Sequence, residues 1–343
     1  MSEVKTVNRK QEKLKKEDFS SDQEVRWCPG CGDYAILAQI RKVLPELGVS
    51  KEKTVFVSGI GCSSRFPYYV DTYGFHTIHG RAPTVATGIK LANPDLSVWL
   101  ITGDGDGLSI GGNHLIHLMR RNLNVNIILF NNQIYGLTKG QFSPTSPAGK
   151  VTKSTPYGSV SNPFNPVSIA LTAGASFVAR TIDRHTKHMA EIFKQAAQHK
   201  GTSFVEVYQN CNIFNDGIYR HLTDAESKFD NVLVLEHGKP LIYGKNDDKG
   251  LYMDCFNFLK RDIKSDSDRD ILHIHDQGDP RTEYAYILSE LTEESNMPTP
   301  IGVFRKYDAL PYDEKFHQQI EEITRQKGKG NLKQLFLSGD TWK

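Results

Sequence analysis

The run Ser97-Val-Trp-Leu-Ile-Thr-Gly-Asp-Gly-Asp-Gly107 decides how this chain folds. Its first six residues are almost continuously apolar or β-branched, the pattern of a strand buried on both faces. The glycines that follow let backbone N–H groups approach a ligand closely. A helix opening near Gly111 presents its N-terminus to negative charge. A carboxylate in such a turn, here Asp104, suits Mg²⁺, which prefers hard oxygen ligands in an octahedral array. The turn therefore reads as a place for a metal-bound diphosphate.

The next strand repeats the arrangement. Val125-Asn-Ile-Ile-Leu-Phe130 runs into Asn131-Asn-Gln-Ile-Tyr-Gly136, and Asn132 stands 28 residues after Asp104. The side-chain oxygen of Asn132 and the carbonyl of Ile134 complete the protein's share of the metal shell. A Gly-Asp-Gly turn alone is common, and Asp104 reads equally well as a helix cap. Two successive apolar strands closed by Asp104 and Asn132 are more specific. No G-x-G-x-x-G opens the helix and no Walker lysine follows, so this is not a dinucleotide or P-loop signature.

Further strands are expected at Thr54–Ser58 and Ser203–Tyr208, with helical spacing over Tyr34–Val43, Thr84–Ala92, Gly111–Arg121 and Thr186–His199. The alternation predicts an α/β fold, a parallel sheet flanked by helices, with ligands at the carboxyl ends of the strands. Residues 138–166 are rich in Gly, Pro, Ser and Thr, the composition of a lid, a binding loop or a disordered segment. The expected organisation is a flexible N-terminal arm over 1–25, a main domain over 26–220, and a smaller C-terminal extension of mixed character over 221–343.

Composition narrows the class. With 42 basic and 40 acidic residues, nothing argues for nucleic acid. The longest apolar runs, such as Ile127 to Phe130, fall far short of a bilayer span. The N-terminal stretch is charged and lacks the apolar core of a secretory signal, so a cytoplasmic location is the expectation.

Five cysteines, an odd number, argue against a disulfide framework and for metal or redox chemistry. Cys28-Pro-Gly-Cys31 is a C-x-x-C in a tight turn, while Cys62 and Cys211 each follow an expected strand. Four thiolates at one sheet edge suit zinc or a [4Fe–4S] cluster. A thioredoxin-like dithiol would leave Cys62 and Cys211 unexplained. Cys255 reads as a buried small hydrophobe. His114 and His117, three residues apart on a helix, read as packing or surface residues because no third ligand is in view.

In order, the segments WCPGCG, GIGCSSR, HGRAPTVATGIKLANP, GDGDGLSIGGNH, NNQIYGLTKGQFSPTSP and a late cysteine in VYQNCNIFNDG resemble the beta subunit of 2-oxoacid:ferredoxin oxidoreductases. The resemblance covers residues 27 to about 220 and continues in Pro300-Ile-Gly-Val-Phe-Arg-Lys-Tyr-Asp308. It implies a thiamine-diphosphate-binding domain of the diphosphate type. It assigns Asp104, Asn132 and the Ile134 carbonyl to Mg²⁺, and Cys28, Cys31, Cys62 and Cys211 to one [4Fe–4S] cluster. It puts Gly105, Asp106, Gly136, Leu137 and Thr138 around the diphosphate. His79 and Gly80 approach the cofactor, and Ile60, Gly61, Cys62 and Ser63 form both cluster shell and cofactor wall.

The activity so implied is oxidative decarboxylation of a 2-oxoacid with coenzyme A, electrons leaving through the cluster to ferredoxin, or the reverse reaction. The resemblance further implies an alpha subunit that supplies a pyrimidine-binding domain, without which the chain is inactive. Arg65, three residues after Cys62, offers a guanidinium fork to a second substrate carboxylate and favours 2-oxoglutarate over pyruvate. An ion pair at a surface or subunit interface is the plainer reading of the same arginine. A non-redox thiamine enzyme and a zinc-stabilised binding protein are the rival functions.

Overall fold

The computed structural model describes residues 14–340 except residue 293. Eleven strands are formed: β1 Thr54–Ser58, β2 Tyr73–His76, β3 Ser97–Gly103, β4 Asn126–Asn131, β5 Phe177–Ile182, β6 Ser203–Tyr208, β7 Val232–Leu235, β8 Ile242–Tyr243, β9 Lys249–Asp254, β10 Asn257–Asp262 and β11 Thr299–Lys306. Eight build one sheet in the order β2-β1-β3-β4-β6-β5-β11-β7, and β10-β9-β8 form a small second sheet. The first six strands of the large sheet pair in parallel. β11 joins β5 antiparallel, and β7 pairs parallel to β11.

The apolar runs are continuous because both faces of this sheet are covered. Val98 and Leu100 of β3, with Ile127 and Leu129 of β4, enter one core. Trp99 and Ile101, with Ile128 and Phe130, enter the other. Helices Ala82–Ala92, Gly112–Arg121 and Pro166–Thr172 cover the first face, and Asp33–Leu47 and Thr186–Gln198 cover the second. Every expected helix is thus present, with ends within a few residues of the expected ones.

Two differences from the sequence reading have physical causes. β5 carries Arg180 in mid-strand, which breaks the apolar pattern. The guanidinium is 1% exposed yet tolerated, because Glu206 on β6 accepts its Nε–H at 2.6 Å. The stretch after residue 220 supplies β7 and β11 to the main sheet, and Leu233 and Phe304 pack in the same core as Val55. It is therefore continuous with the main domain.

Residues 1–13 of the N-terminal arm lie outside the described residues. Chain expected to be flexible up to residue 25 is packed by Phe19, which is fully buried. The Phe19 carbonyl accepts the Asp71 N–H at 3.0 Å, and Ser20 bridges Val70. Cys255 also departs from expectation. It is exposed at the β9–β10 turn with φ +53°, because Asp254 and Asn257 pair on either side and push it out.

Candidate active site

The carboxyl ends of β1, β3 and β4 surround a cavity of about 170 Å³. Every residue expected around the cofactor except Gly80 lines it: Ile60, Gly61, Cys62, Ser63, His79, Gly105, Asp106, Gly136, Leu137 and Thr138. Asp104, Asn132 and Ile134 line it as well. Asp33, Gly103, Ile110, Phe130 and Tyr135 complete the wall and were not expected.

The Gly-Asp-Gly turn is itself a short helix, Asp104–Leu108, that starts directly at the end of β3. Asp104 is 2% exposed, and desolvation pushes its carboxyl up to about 6. Two hydroxyls oppose that shift by donating to the same oxygen: Ser143 Oγ reaches Asp104 Oδ2 at 2.5 Å and Thr145 Oγ1 reaches it at 2.6 Å. Both come from the loop 138–166, where Ser143, Thr145 and Ser146 are each 2% exposed. Beneath the Gly-Asp-Gly turn this loop is a packed strap, and its buried hydroxyls escaped the sequence reading because Ser and Thr beside Pro look like turn residues.

Asn132 is fixed from the other side. Its Nδ2 donates to Gln209 Oε1 at 2.8 Å, so its Oδ1 is turned back, where it accepts the Ile134 N–H at 3.2 Å. Asn132 and the buried Asp104 line the same pocket. Gly105 has no room for a side chain, since a Cβ there would lie 2.2 Å from the Tyr135 ring. The Tyr135 hydroxyl donates to the Gly105 carbonyl at 3.1 Å, which ties the ends of β3 and β4 together.

Asp106 lines the pocket and also braces the loops beside it. Its Oδ1 accepts the Gly80 N–H at 2.8 Å and its Oδ2 accepts the Thr102 hydroxyl at 3.2 Å. A Cβ on Gly59 would stand 1.9 Å from Oδ2. The carboxylate therefore clamps the loops after β1 and β2 onto the end of β3. This also explains why Gly80 is buried behind the pocket: its N–H serves the clamp, and Gly111 packs against it.

The four cysteines expected to share a metal are drawn to one corner. Cys31 N–H donates to the Cys28 carbonyl at 3.0 Å, closing the Pro-Gly turn, where Gly30 has φ +85°. The segment carrying Cys211 is pinned to that turn on both sides. Gly32 N–H donates to the Asn210 carbonyl at 3.2 Å, and Asn212 Nδ2 to the Pro29 carbonyl at 2.7 Å. Cys62 is held by Trp27, whose indole N–H donates to its carbonyl at 2.7 Å. A Cβ on Gly136 would sit 3.5 Å from the Cys211 sulfur and 3.7 Å from the Cys62 sulfur. Burial and the neighbouring Asp33, Cys211 and Cys28 push the Cys62 thiol up to about 12, and burial with Asp33 raises Cys31 further. Among the described residues, no three Cys, His, Asp or Glu side chains close on a point suited to one metal ion.

Two residues alter the expected picture. Asp33, missed because nothing after a C-x-x-C signals burial, is 1% exposed and has no partner for Oδ2; burial pushes it up to about 7. Arg65 does not line the pocket. It donates to the Arg26 carbonyl at 3.1 Å and borders a separate cavity with Tyr68 and Tyr69.

Comparison with known proteins bears on this arrangement. Residues 59–207 match the family described as "Thiamine pyrophosphate enzyme, C-terminal TPP binding domain". The chain is 52% identical over 330 residues to the 2-oxoglutarate oxidoreductase subunit KorB of Mycobacterium tuberculosis, covering 96% of this chain and 88% of that protein. It is 47% identical over 199 residues to the 2-oxoacid:ferredoxin oxidoreductase 2, subunit beta, of Aeropyrum pernix, covering 58% of this chain and 64% of the relative. Its fold matches a solved 2-oxoglutarate:ferredoxin oxidoreductase from Magnetococcus marinus, with 2-oxoglutarate, coenzyme A and succinyl-CoA bound. That match has a TM-score of 0.77 and 34% identity, and covers 96% of this chain and 98% of the other. The protein belongs to the beta subunits of the 2-oxoacid:ferredoxin oxidoreductases, and carries their thiamine-diphosphate-binding domain.

Proposed function

We propose that this chain, closed over by an alpha subunit, oxidatively decarboxylates 2-oxoglutarate with coenzyme A and passes the electrons through a [4Fe–4S] cluster to ferredoxin. The observation that carries the reading is the shared wall at Cys62 and Gly136. Both residues line the Asp104/Asn132 pocket, and the missing side chain of Gly136 leaves room against the sulfurs of Cys62 and Cys211. A site for a diphosphate and a site for a redox group thus touch.

The residues present fit both groups. Asp104, Asn132 and the Ile134 carbonyl are hard oxygens of the kind Mg²⁺ takes. The four cysteines gather in one corner without closing on a single point. A cube of four irons gives each thiolate its own metal atom and spreads the sulfurs, whereas one zinc draws them together. When bound, thiamine diphosphate supplies the electron sink for loss of CO₂, and the cluster accepts the electrons singly.

The chain's own residues bind and shelter. Asp104 and Asn132 hold the metal end, and Gly105 allows close backbone approach. Ile60, Phe130, Ile134 and Leu137 give the pocket an apolar wall that excludes water. The pocket mouth carries exposed apolar side chains, with Ile78 69% and Ile110 66% exposed, and β2 is an exposed edge bearing Tyr73 and Phe75. Apolar surface around an open pocket supports a partner subunit there. Preference for 2-oxoglutarate over pyruvate rests on the relatives, since Arg65 is engaged elsewhere. Among the described residues no helix is long and apolar enough to cross a membrane. A cytoplasmic location, where coenzyme A and ferredoxin are met, belongs to this reading.

Co-expression with the partner subunit, followed by a 2-oxoacid panel with ferredoxin, tests the proposal. Ferredoxin reduction that needs coenzyme A and is fastest with 2-oxoglutarate is expected. Faster turnover of pyruvate would overturn the substrate assignment, and turnover without iron would overturn the cluster.

A further inference from the structure

The buried hydroxyls of the strap stand in an arrangement that does more than hold a loop. Ser146 Oγ accepts the Ser143 N–H at 2.8 Å and donates to the Gln133 carbonyl at 2.6 Å, which ties the strap to the end of β4. With its proton so committed, Ser146 is not the donor to Ser143. Ser143 Oγ is free to donate to Asp104 Oδ2 at 2.5 Å.

Thr145 is directed from behind. Arg180 holds Glu206, and Glu206 Oε1 accepts Asn131 Nδ2 at 2.7 Å, so the Asn131 amide group must face the glutamate. Its oxygen then faces Thr145 at 2.9 Å and has no proton to give. Thr145 has one proton and three oxygens within reach, Asn131 Oδ1, Ser143 Oγ at 3.2 Å and Asp104 Oδ2, and the last is both the nearest, at 2.6 Å, and the charged one. Oδ2 therefore takes two short charge-assisted hydrogen bonds. No hydrogen bond from a side chain falls on Oδ1 among the described residues.

We infer that Ser143 and Thr145 are positioning residues that leave Asp104 a single oxygen for the cation, so that the site selects Mg²⁺ over Ca²⁺. Mg²⁺ demands octahedral, one-oxygen ligation, whereas the larger Ca²⁺ accepts carboxylates through both oxygens and tolerates irregular shells. Occupying Oδ2 with hydroxyl donors closes the two-oxygen mode. The strap thereby sets the ion preference of a carboxylate it does not itself replace. This inference rests on the reading of Asp104 as the metal ligand.

The test uses the complex with its partner subunit, stripped of cofactor, with equilibrium dialysis of thiamine diphosphate at stepped Mg²⁺ or Ca²⁺. Removing both hydroxyls in Ser143→Ala/Thr145→Val is expected to weaken Mg²⁺-supported binding roughly 10–100-fold, the usual cost of losing partners of a metal ligand. Ca²⁺-supported binding should fall much less, so that the Mg²⁺/Ca²⁺ ratio drops at least about fivefold. Thr145→Ser, which keeps the hydroxyl, should retain the parent ratio and guards against a folding failure of the double variant. An unchanged ratio in a folded double variant, or an altered one in Thr145→Ser, would overturn the inference. Asp104→Ala separates the two levels. If it leaves Mg²⁺-supported binding intact, the assignment of Asp104 fails. If it abolishes binding while the double variant keeps its ratio, only the role of the strap fails.

Discussion

The side-chain amide of Gln209 donates to the sulfur of Cys31 at 3.3 Å. The same side chain accepts from Asn132 at 2.8 Å, so one buried residue at the end of β6 joins the thiol corner to the asparagine of the pocket. Nothing in the sequence marks Gln209, which reads as an ordinary polar residue after a strand. Its importance is visible only once β4 and β6 pair and bring residues 77 positions apart into contact.

Hydrogen bonds to cluster sulfurs raise the reduction potential by stabilising added negative charge. Gln209→Met removes the donor at similar volume. A hydrogen bond near 1 kcal/mol corresponds to about 40 mV for one electron. A potential lower by roughly that amount is expected in a redox titration, with iron content retained; an unshifted potential would mean that the bond is absent in the loaded protein.

Gly136→Ala offers a sharper probe. The added Cβ meets only the two sulfurs, at 3.5 and 3.7 Å, and Gly136 is not among the residues with positive φ, so the apo fold tolerates it. On the proposed reading it takes volume that the cluster would fill. Iron per chain should fall severalfold while the apo protein changes stability by less than about 1 kcal/mol. Full iron occupancy in the variant would place the cluster elsewhere.

How far the sequence could be read depended on what each residue faces. β3 and β4 were legible because both faces are buried, and the Asp104/Asn132 pair because it closes two such strands. β5 was not, because a buried Arg180 looks like a surface residue until Glu206 is brought beside it by strand pairing. Ser143, Thr145 and Asp33 were missed for a related reason: polar residues in turns look solvated, and only tertiary packing reveals their burial. Asp106 was recognised as part of the site, but its bonds to Gly80 and Thr102 were not legible, since spacing identifies a carboxylate and not its partners. Cys255 was misjudged in the opposite sense, an apolar-looking context that proved to be the tip of a hairpin.

The ion pair of Arg180 and Glu206 should be costly to break. Arg180→Met leaves the glutamate buried without its cation, and a loss of about 3–5 kcal/mol is expected in urea unfolding. Arg180→Met/Glu206→Leu should recover part of that loss, because two apolar residues replace two charges. A single variant within about 1 kcal/mol of the parent would show that the pair does not hold the two strands together as described.

A buried histidine, His199, and a half-buried one, His188, set an acid limit. Desolvation lowers His188 and His199 from the ordinary 6.5 to about 4. Between those values the unfolded chain takes up protons that the folded chain refuses. Each histidine's contribution is therefore complete above pH 6.5 and is lost as pH falls towards 4. The slope is at most about 1.4 kcal/mol per pH unit for each histidine. The stability difference between the parent and His188→Gln/His199→Gln should vary across that window and be flat above it. A difference independent of pH would contradict the burial of the neutral rings.

The central claim is that one sheet edge holds a diphosphate pocket and a redox cluster in contact. Electron paramagnetic resonance of the complex, mixed anaerobically with 2-oxoglutarate and coenzyme A without ferredoxin, tests it most directly. The account expects a reduced-cluster signal to appear within turnover and to vanish in Asp104→Ala and in Cys211→Ser. A cluster that stays oxidised in the active parent, or a signal that survives loss of Asp104, would contradict it.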